Sequence, residues 1–292
     1  MQGKIIKGIA GFYYVFVPGM GILECKAKGI FRKDGLKPLV GDQVKVSLLK
    51  EEGLKGNIDH IVERKSELVR PAVANIDQAL VIFSVKNPEP NFNLLDRFLL
   101  MLRQKGLPCV LVFNKMDLAT GEEQKVIEKI YEGSGCEVLF ISAAAGLGID
   151  RVSARLSQKT TAVAGPSGVG KSSLINLLQT KINMETGDIS EKIKRGRHTT
   201  RHSELILVDE KSFILDTPGF SSLSLFDLKK EELEGFYPEF DGLRDRCRFN
   251  GCSHTHEPEC AVKEALEAGK ISAVRYENYV QIYQELKEKK KY

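Results

Sequence analysis

Hydrophobic and polar positions alternate along the first 65 residues, and this alternation sets the reading of the region. Val44, Val46 and Leu48 recur with the period of two expected of a half-buried strand. The short strand candidates cover 4–9, 12–17, 22–30, 43–49 and 57–62, separated by glycine-containing turns such as Pro18-Gly19 and Glu52-Gly53. Five short strands predict a small OB-type β-barrel over residues 1–68.

Past residues 67–71, which read as a linker, the period changes. The apolar run 78–85 predicts a buried strand, followed by a helix near 94–104. Strands are expected at 107–113, 137–141, 160–164 and 213–215, with helices around 148–158 and from 172 to 178. This rhythm predicts an α/β domain over 69–222, a parallel sheet with helices on both faces. From about Ser221 the pattern turns helical and closes with a long helix over 271–288, giving a third, helical domain at 223–292. The fold class is therefore multidomain α/β.

Two motifs fall on these elements. Gly165, Pro166, Ser167, Gly168, Val169, Gly170, Lys171 and Ser172 stand between a predicted strand and a predicted helix, as a phosphate-binding loop requires. Its glycines let backbone N–H groups face phosphate oxygens, and the helix N-terminus, with Ser173 in its first turn, adds a favourable dipole. Lys171 is expected at the β- and γ-phosphates, and Ser172 on Mg²⁺. Asn114, Lys115, Met116 and Asp117 follow the strand 107–113 and form a guanine-reading sequence. Asp117 can accept from the N1 and N2 hydrogens of guanine, which adenine does not offer. One strand later, a backbone amide at Ser142-Ala143 is placed to meet the guanine O6.

The order of these motifs is unusual. In an ordinary GTPase the phosphate loop comes first; here the guanine reader precedes it. Asp216, ending the strand 213–215, is expected to hold Mg²⁺ through water, and the Gly219 amide to sense the γ-phosphate. The basic run 192–201 contains Thr200, the choice for a second Mg²⁺-ligating hydroxyl, with Thr199 the alternative. It reads as a segment ordered by γ-phosphate and Mg²⁺, with a solvated basic loop the competing reading. Phe220 stands where many GTPases carry a water-orienting glutamine, so His198 becomes the candidate for that role. Because 216–219 feeds directly into the C-terminal region, nucleotide state is expected to alter that region's pose through a hinge near 221–224.

Cys247, Cys252, His254 and Cys260 offer three thiols and an imidazole within fourteen residues, a plausible closed tetrahedral zinc site. Spacing alone leaves His256 as a rival ligand. Cys25, Cys109 and Cys136 are expected to be ordinary free thiols.

Composition adds little to this. The net charge of +4 proves no nucleic-acid partner, although residues 1–68 carry twelve Lys or Arg against eight Asp or Glu. Phe12, Tyr13, Tyr14 and Phe31 are expected in the barrel core or at its lip, with stacking on RNA bases the alternative. No apolar run reaches membrane-spanning length and no signal peptide is evident, so a cytoplasmic protein without a membrane partner is expected. The lysine-rich stretch 287–291 reads as a solvated helix end.

Barrel, permuted motif order and Cys-Cys-His-Cys cluster together resemble the RsgA family (also called YjeQ or YloQ), bacterial GTPases that depend on the small ribosomal subunit. The resemblance covers nearly the whole chain. It implies a late assembly factor that docks on the small ribosomal subunit and its ribosomal RNA as a monomer, cycling between GTP and GDP with one structural zinc. It implies weak intrinsic hydrolysis stimulated by the subunit, with His198 as the catalytic histidine and Cys247, Cys252, His254 and Cys260 as the zinc ligands.

Overall fold

Of the 292 residues, the computed structural model describes 1–29, 31, 35–49, 53–68, 71–186, 203–216 and 228–288, without the side chains of 180–186 and 216. In chain order the first elements are β1 (Gln2–Ile9), β2 (Phe12–Val17), β3 (Gly21–Ala27), β4 (Gln43–Leu48), β5 (Lys55–Ile61), β6 (Glu67–Leu68), β7 (Val73–Ala74) and β8 (Gln78–Ser84). Then come α1 (Phe92–Gln104), β9 (Cys109–Asn114), α2 (Gly121–Tyr131), β10 (Glu137–Phe140), α3 (Ile149–Leu156), β11 (Thr160–Ala164) and α4 (Lys171–Thr186). The last are β12 (Glu204–Leu207), β13 (Phe213–Asp216), α5 (Ala261–Glu267) and α6 (Ala273–Glu288). The chain divides into two compact units: Met1–Leu80 with Ile149–Ala164 and Lys171–Ser221, and Val81–Gly148 with Gly165–Gly170 and Ser222–Tyr292.

In the first unit, the strands run β1-β2-β3-β5-β4 and close through a β1–β4 pairing, the OB-type barrel. Each strand sends at least one apolar side chain wholly out of solvent: Ile5, Val15, Leu23 with Cys25, Val44 and Ile58. Phe31 is buried and Phe12, Tyr13 and Tyr14 half-buried, so the aromatics mostly serve the barrel wall.

A register shift between Ile5 and Lys7 lets β1 serve more than one neighbour. Its start pairs with β4, while Lys7 lies opposite Glu204 of β12 and their side chains form an ion pair at 3.0 Å. β12 runs antiparallel to β13, and β13 parallel to β11. The barrel sheet thus continues without a break into strands of the nucleotide fold. The expected sheet was parallel; β12 is the antiparallel exception. Lys4 seals the join: it is buried, its Nζ donates to Thr160 Oγ1 at 2.5 Å and stands 4.6 Å over the Phe213 ring. Burial pushes its pKa down.

The segment read as a linker contains structure of its own. β6 pairs with β7, and Arg64 grips both this ribbon and the barrel. Its guanidinium donates to Asp42 Oδ1 and Oδ2 at 2.7 and 2.8 Å and to Glu67 Oε2 at 2.6 Å, a forked geometry suited to arginine.

In the second unit, β10 and β9 pair in parallel beside β8, whose run is buried throughout. Asn91 caps α1 by accepting from the Leu94 amide at 2.9 Å, and Leu95, Phe98, Leu99 and Leu102 form its buried stripe. Thr120 and Glu123 make a reciprocal capping box on α2. The C-terminal part is less regular than the expected helical domain. Short 3₁₀ turns occupy Lys230–Phe236, Pro238–Phe240 and Arg244–Arg246, where Pro238 and Gly242 oppose a longer helix.

α6 is held against α1 by a buried ionic cluster. Arg275, 2 % exposed, donates to Asp96 Oδ1 at 2.5 Å and Glu239 Oε1 at 2.8 Å. Asn278 and Tyr131 donate to the same Asp96 carboxylate at 2.7 and 3.2 Å. Removing one member of such a pair costs about 3–5 kcal/mol, because the other is left charged in the interior.

Candidate nucleotide and metal sites

The buried strand β11 delivers the chain to Gly165, and α4 begins at the residue after Gly170. Between them the backbone takes conformations that only glycine adopts freely. Gly165 has φ +138° and Gly170 φ +93°. A Cβ on Gly165 would overlap the Ile82 carbonyl oxygen of β8, and one on Gly170 would overlap Asn114 Nδ2. The loop is therefore laid directly on the strand beneath it and on the guanine-reading turn.

Asn114 ties the parts together. It is 2 % exposed; its Nδ2 donates to the Val169 carbonyl at 2.9 Å. Its Oδ1 accepts from the amides of Lys115 at 2.8 Å and Ala143 at 2.9 Å. One side chain thus joins all three segments singled out in the sequence. Lys115 adopts φ +63°, which turns its Nζ back to donate to Gly168 O at 2.9 Å and to Asn87 O. The Met116 amide donates to Ile141 O at 2.9 Å, seating the turn Met116–Leu118 on the end of β10. Asp117 is exposed, and no group among the described residues bonds its carboxylate.

Of the Ser142-Ala143 pair, whose backbone was expected to meet the guanine O6, the Ala143 amide donates to Asn114. Buried Ser142 accepts from the Ala145 amide at 3.1 Å through its Oγ. The N–H of exposed Ala144 has no partner among the described residues, a donor the sequence reading did not single out. Asn114→Ala would strand the Val169 carbonyl and two amides. Each orphaned buried group costs about 1–3 kcal/mol and a half-buried one less, so thermal unfolding should show a loss of at least about 1–3 kcal/mol and nucleotide titration a collapse of binding.

On the phosphate side, Lys171, Ser172 and Ser173 open α4, half-buried to exposed; Pro166 is half-buried and Ser167 exposed. Asp216 ends β13 in register with Val163 of β11, the strand that leads into the loop. A hydroxyl and a carboxylate are hard oxygen donors suited to Mg²⁺. Gly219, Phe220, His198, Thr199, Thr200, the rest of the run 192–201 and the hinge at 221–224 lie outside the described residues, as does 289–291 of the lysine-rich stretch.

The metal site is compact. One ligand atom from each of Cys247, Cys252, His254 and Cys260 lies within 4.8 Å of the others. Cys247 Sγ is 3.8 Å from Cys260 Sγ, and His254 Nδ1 is 3.6 and 3.3 Å from these sulfurs. Sulfurs at tetrahedral positions around zinc, with Zn–S about 2.3 Å, would stand about 3.8 Å apart. The spacing fits zinc closely. Burial pushes the Cys252 thiol up to about 12, so a cation is needed to hold this cluster as thiolates. His254 Nε2 faces Glu234 Oε2 at 2.6 Å, fixing the tautomer that turns the Nδ1 lone pair toward the sulfurs. His256 is exposed and its Nδ1 pairs with Thr255 Oγ1 at 2.9 Å, so the structure selects His254 over its rival.

The loop carrying these ligands is pinned from several sides. Tyr276 and Tyr279 of α6 donate to the carbonyls of His254 and Ser253 at 2.7 and 2.8 Å. Glu257 collects the amides of Ser253, Thr255 and His256 and the Ser253 hydroxyl. Against burial, which raises it, these bonds hold its carboxyl down at about 2. Phe240 stacks on Tyr237 and meets Tyr279 and the His254 ring edge-to-face, at 5.3, 4.9 and 5.6 Å between centroids.

Because the guanine-reading turn precedes the phosphate loop it braces, the nucleotide fold is that of a circularly permuted GTPase. Residues 61–226 match the family model described as RsgA GTPase, and 2–58 match the RsgA N-terminal domain. The chain belongs to the RsgA GTPase family. It is 55 % identical over the full length of both chains to the small ribosomal subunit biogenesis GTPase RsgA of Agathobacter rectalis. With the protein of that name from Clostridium perfringens it shares 49 % identity over 98 % of each. Among solved structures, YjeQ from Thermotoga maritima aligns with TM-score 0.81 at 35 % identity over 99 % of each chain. YloQ, described as a circularly permuted GTPase, aligns with TM-score 0.78 at 35 % identity, covering 100 % of this chain and 96 % of its own.

Proposed function

We infer that the protein is a GTP hydrolase that acts late in assembly of the small ribosomal subunit. It binds the subunit's ribosomal RNA and couples subunit-stimulated hydrolysis to release. The observation that carries the reading is the bracing of the phosphate loop by Asn114 of the guanine-reading turn, set beside relatives that match the chain from end to end.

In this reading Lys171 and the amides from Gly165 to Gly170 hold the phosphates. Ser172, Thr200 and Asp216 hold Mg²⁺, which when bound neutralises charge developing on the phosphate oxygens. Asp117 selects guanine from a turn that Asn114, Lys115 and Met116 keep in place, with the 142–144 loop beside the base. The Gly219 amide reports the γ-phosphate, and His198 orients the attacking water once RNA orders its loop. The zinc, held by Cys247, Cys252, His254 and Cys260, has no open position and serves structure. Among the described residues no helix is long and apolar enough to cross a membrane. The protein works as a cytoplasmic monomer, with the barrel 1–68, the GTPase domain 69–222 and the metal domain 223–292 as its three parts.

The test is GTP turnover with and without purified small subunits across a salt series. Stimulation that fades with salt is expected of phosphate contacts. His198→Ala should lower the stimulated rate by about 10²–10⁴-fold with GTP affinity unchanged. Turnover indifferent to subunits at every salt concentration would leave a nucleotide-gated binding module instead.

A further inference from the structure

Two of the three cysteines outside the metal site are neighbours. Cys109 opens β9, and Cys136 immediately precedes β10. The parallel register places Val110 opposite Glu137, so the residues before them, Cys109 and Cys136, are adjacent across the sheet. Their sulfurs lie 3.1 Å apart in a hydrogen-bonding contact. Adjacent strands stand about 4.8 Å apart, inside the Cα separation of about 4.4–6.8 Å that a disulfide spans. Cys25, by contrast, is alone in the barrel core.

A fixed charge accompanies the pair. Arg103 Nη2 lies 3.8 Å from Cys136 Sγ, and the same guanidinium donates to the carbonyls of Ser134 and Phe236, which hold it in place. The hydrogen bond shared with Cys109, then the Arg103 charge working against burial, bring the Cys136 thiol below its ordinary value. The same hydrogen bond, with burial, pushes Cys109 up. The Arg103 guanidinium beside Cys136 marks that sulfur as the nucleophile and leaves Cys109 as its proton-bearing partner. Access is present too: Cys136 is half-buried and lines an open cleft of about 750 Å³ with Lys125, Glu128, Lys129 and Glu132.

We propose that Cys109 and Cys136 are an oxidisable dithiol, a modification site at which a hydroperoxide converts the two thiols to a disulfide. In the first step the Cys136 thiolate attacks the terminal peroxide oxygen. An S–O bond forms, the O–O bond breaks, and the alkoxide or hydroxide leaves and takes up a proton. In the second step the Cys109 sulfur, giving up its proton, attacks the Cys136 sulfenic sulfur; the S–S bond forms and water leaves. Two thiols and one hydroperoxide yield one disulfide, one alcohol (or water) and one water. The bond staples the starts of β9 and β10, the ends opposite Asn114 and Ser142.

The test treats the zinc-loaded full-length protein with limiting hydrogen peroxide, blocks remaining thiols with an alkylating agent and maps the peptides by mass. The expected product links the Cys109 and Cys136 peptides, two hydrogens lighter than the separate pair and separated again by reductant. In Cys109→Ser, a carbon-acid trap for sulfenic acid should label Cys136, which keeps the Arg103 guanidinium 3.8 Å from its sulfur; in Cys136→Ser, Cys109, without that contact, should be labelled less. Both cysteines recovered alkylated after peroxide, or equal labelling in the two variants, would overturn the proposal.

Discussion

Asp117→Ala is expected to weaken GTP binding by about 10²–10⁴-fold, since it removes two hydrogen bonds from the base to a charged acceptor worth about 1.5–3 kcal/mol each. ATP affinity should change far less, because adenine cannot donate to that carboxylate in the native protein. The preference for guanosine over adenosine nucleotides therefore collapses. Stability should not follow: Asp117 is exposed and no described residue bonds its carboxylate, so the melting temperature should stay near that of the parent. Calorimetric titration with both nucleotides, alongside thermal unfolding, separates the two effects. A variant that still prefers GTP as strongly as the parent would remove the guanine-reading assignment from this turn.

Losing the metal should have the opposite profile, large in stability and local in space. Sets of this kind supply about 10–16 kcal/mol of folding free energy in small zinc peptides. Here Tyr237, Phe240, Tyr279 and Ile282 form an apolar core beside the cluster, so only part of that should be lost. Cys260→Ser, or a strong chelator, is expected to strip hydrogen-exchange protection from 247–260 first and then from the turns at 230–246. Glu234→Gln removes the carboxylate that orients His254 and should lower zinc affinity about 10–100-fold with the fold intact. A metal-free protein that melts at the same temperature as the loaded one would show that the sulfurs merely pack together.

Local chemistry was readable in the chain, and distant pairing was not. The phosphate loop and the guanine-reading turn are each a contiguous run of residues, and the structure braces one against the other through Asn114. The strand expected at 12–17 is Phe12–Val17, and the helix expected over 271–288 is Ala273–Glu288. The β6–β7 ribbon was hidden by its size, two residues to a strand. β12 has an apolar pattern too short to distinguish it from a loop, and its place beside β1 depends on a residue almost two hundred positions away. Cys109 and Cys136 looked unrelated because a parallel register, absent from any local pattern, brings them together. Asn114 was read as part of the guanine-reading sequence; that its amide group also joins the phosphate loop and the loop at Ala143 depends on long-range packing no local pattern carries.

The barrel's seam with β12 bears on how truncations are to be understood. Removing the first sixty residues would strip β12 of its outer neighbour, leave Glu204 without Lys7, and uncover Phe213 and Thr160, now shielded by Lys4. The shortened chain would carry a raw strand border prone to self-association. Poor performance in such a truncate would report damaged architecture as much as a lost contact to a partner, whereas point changes on the barrel's outer wall would isolate the latter.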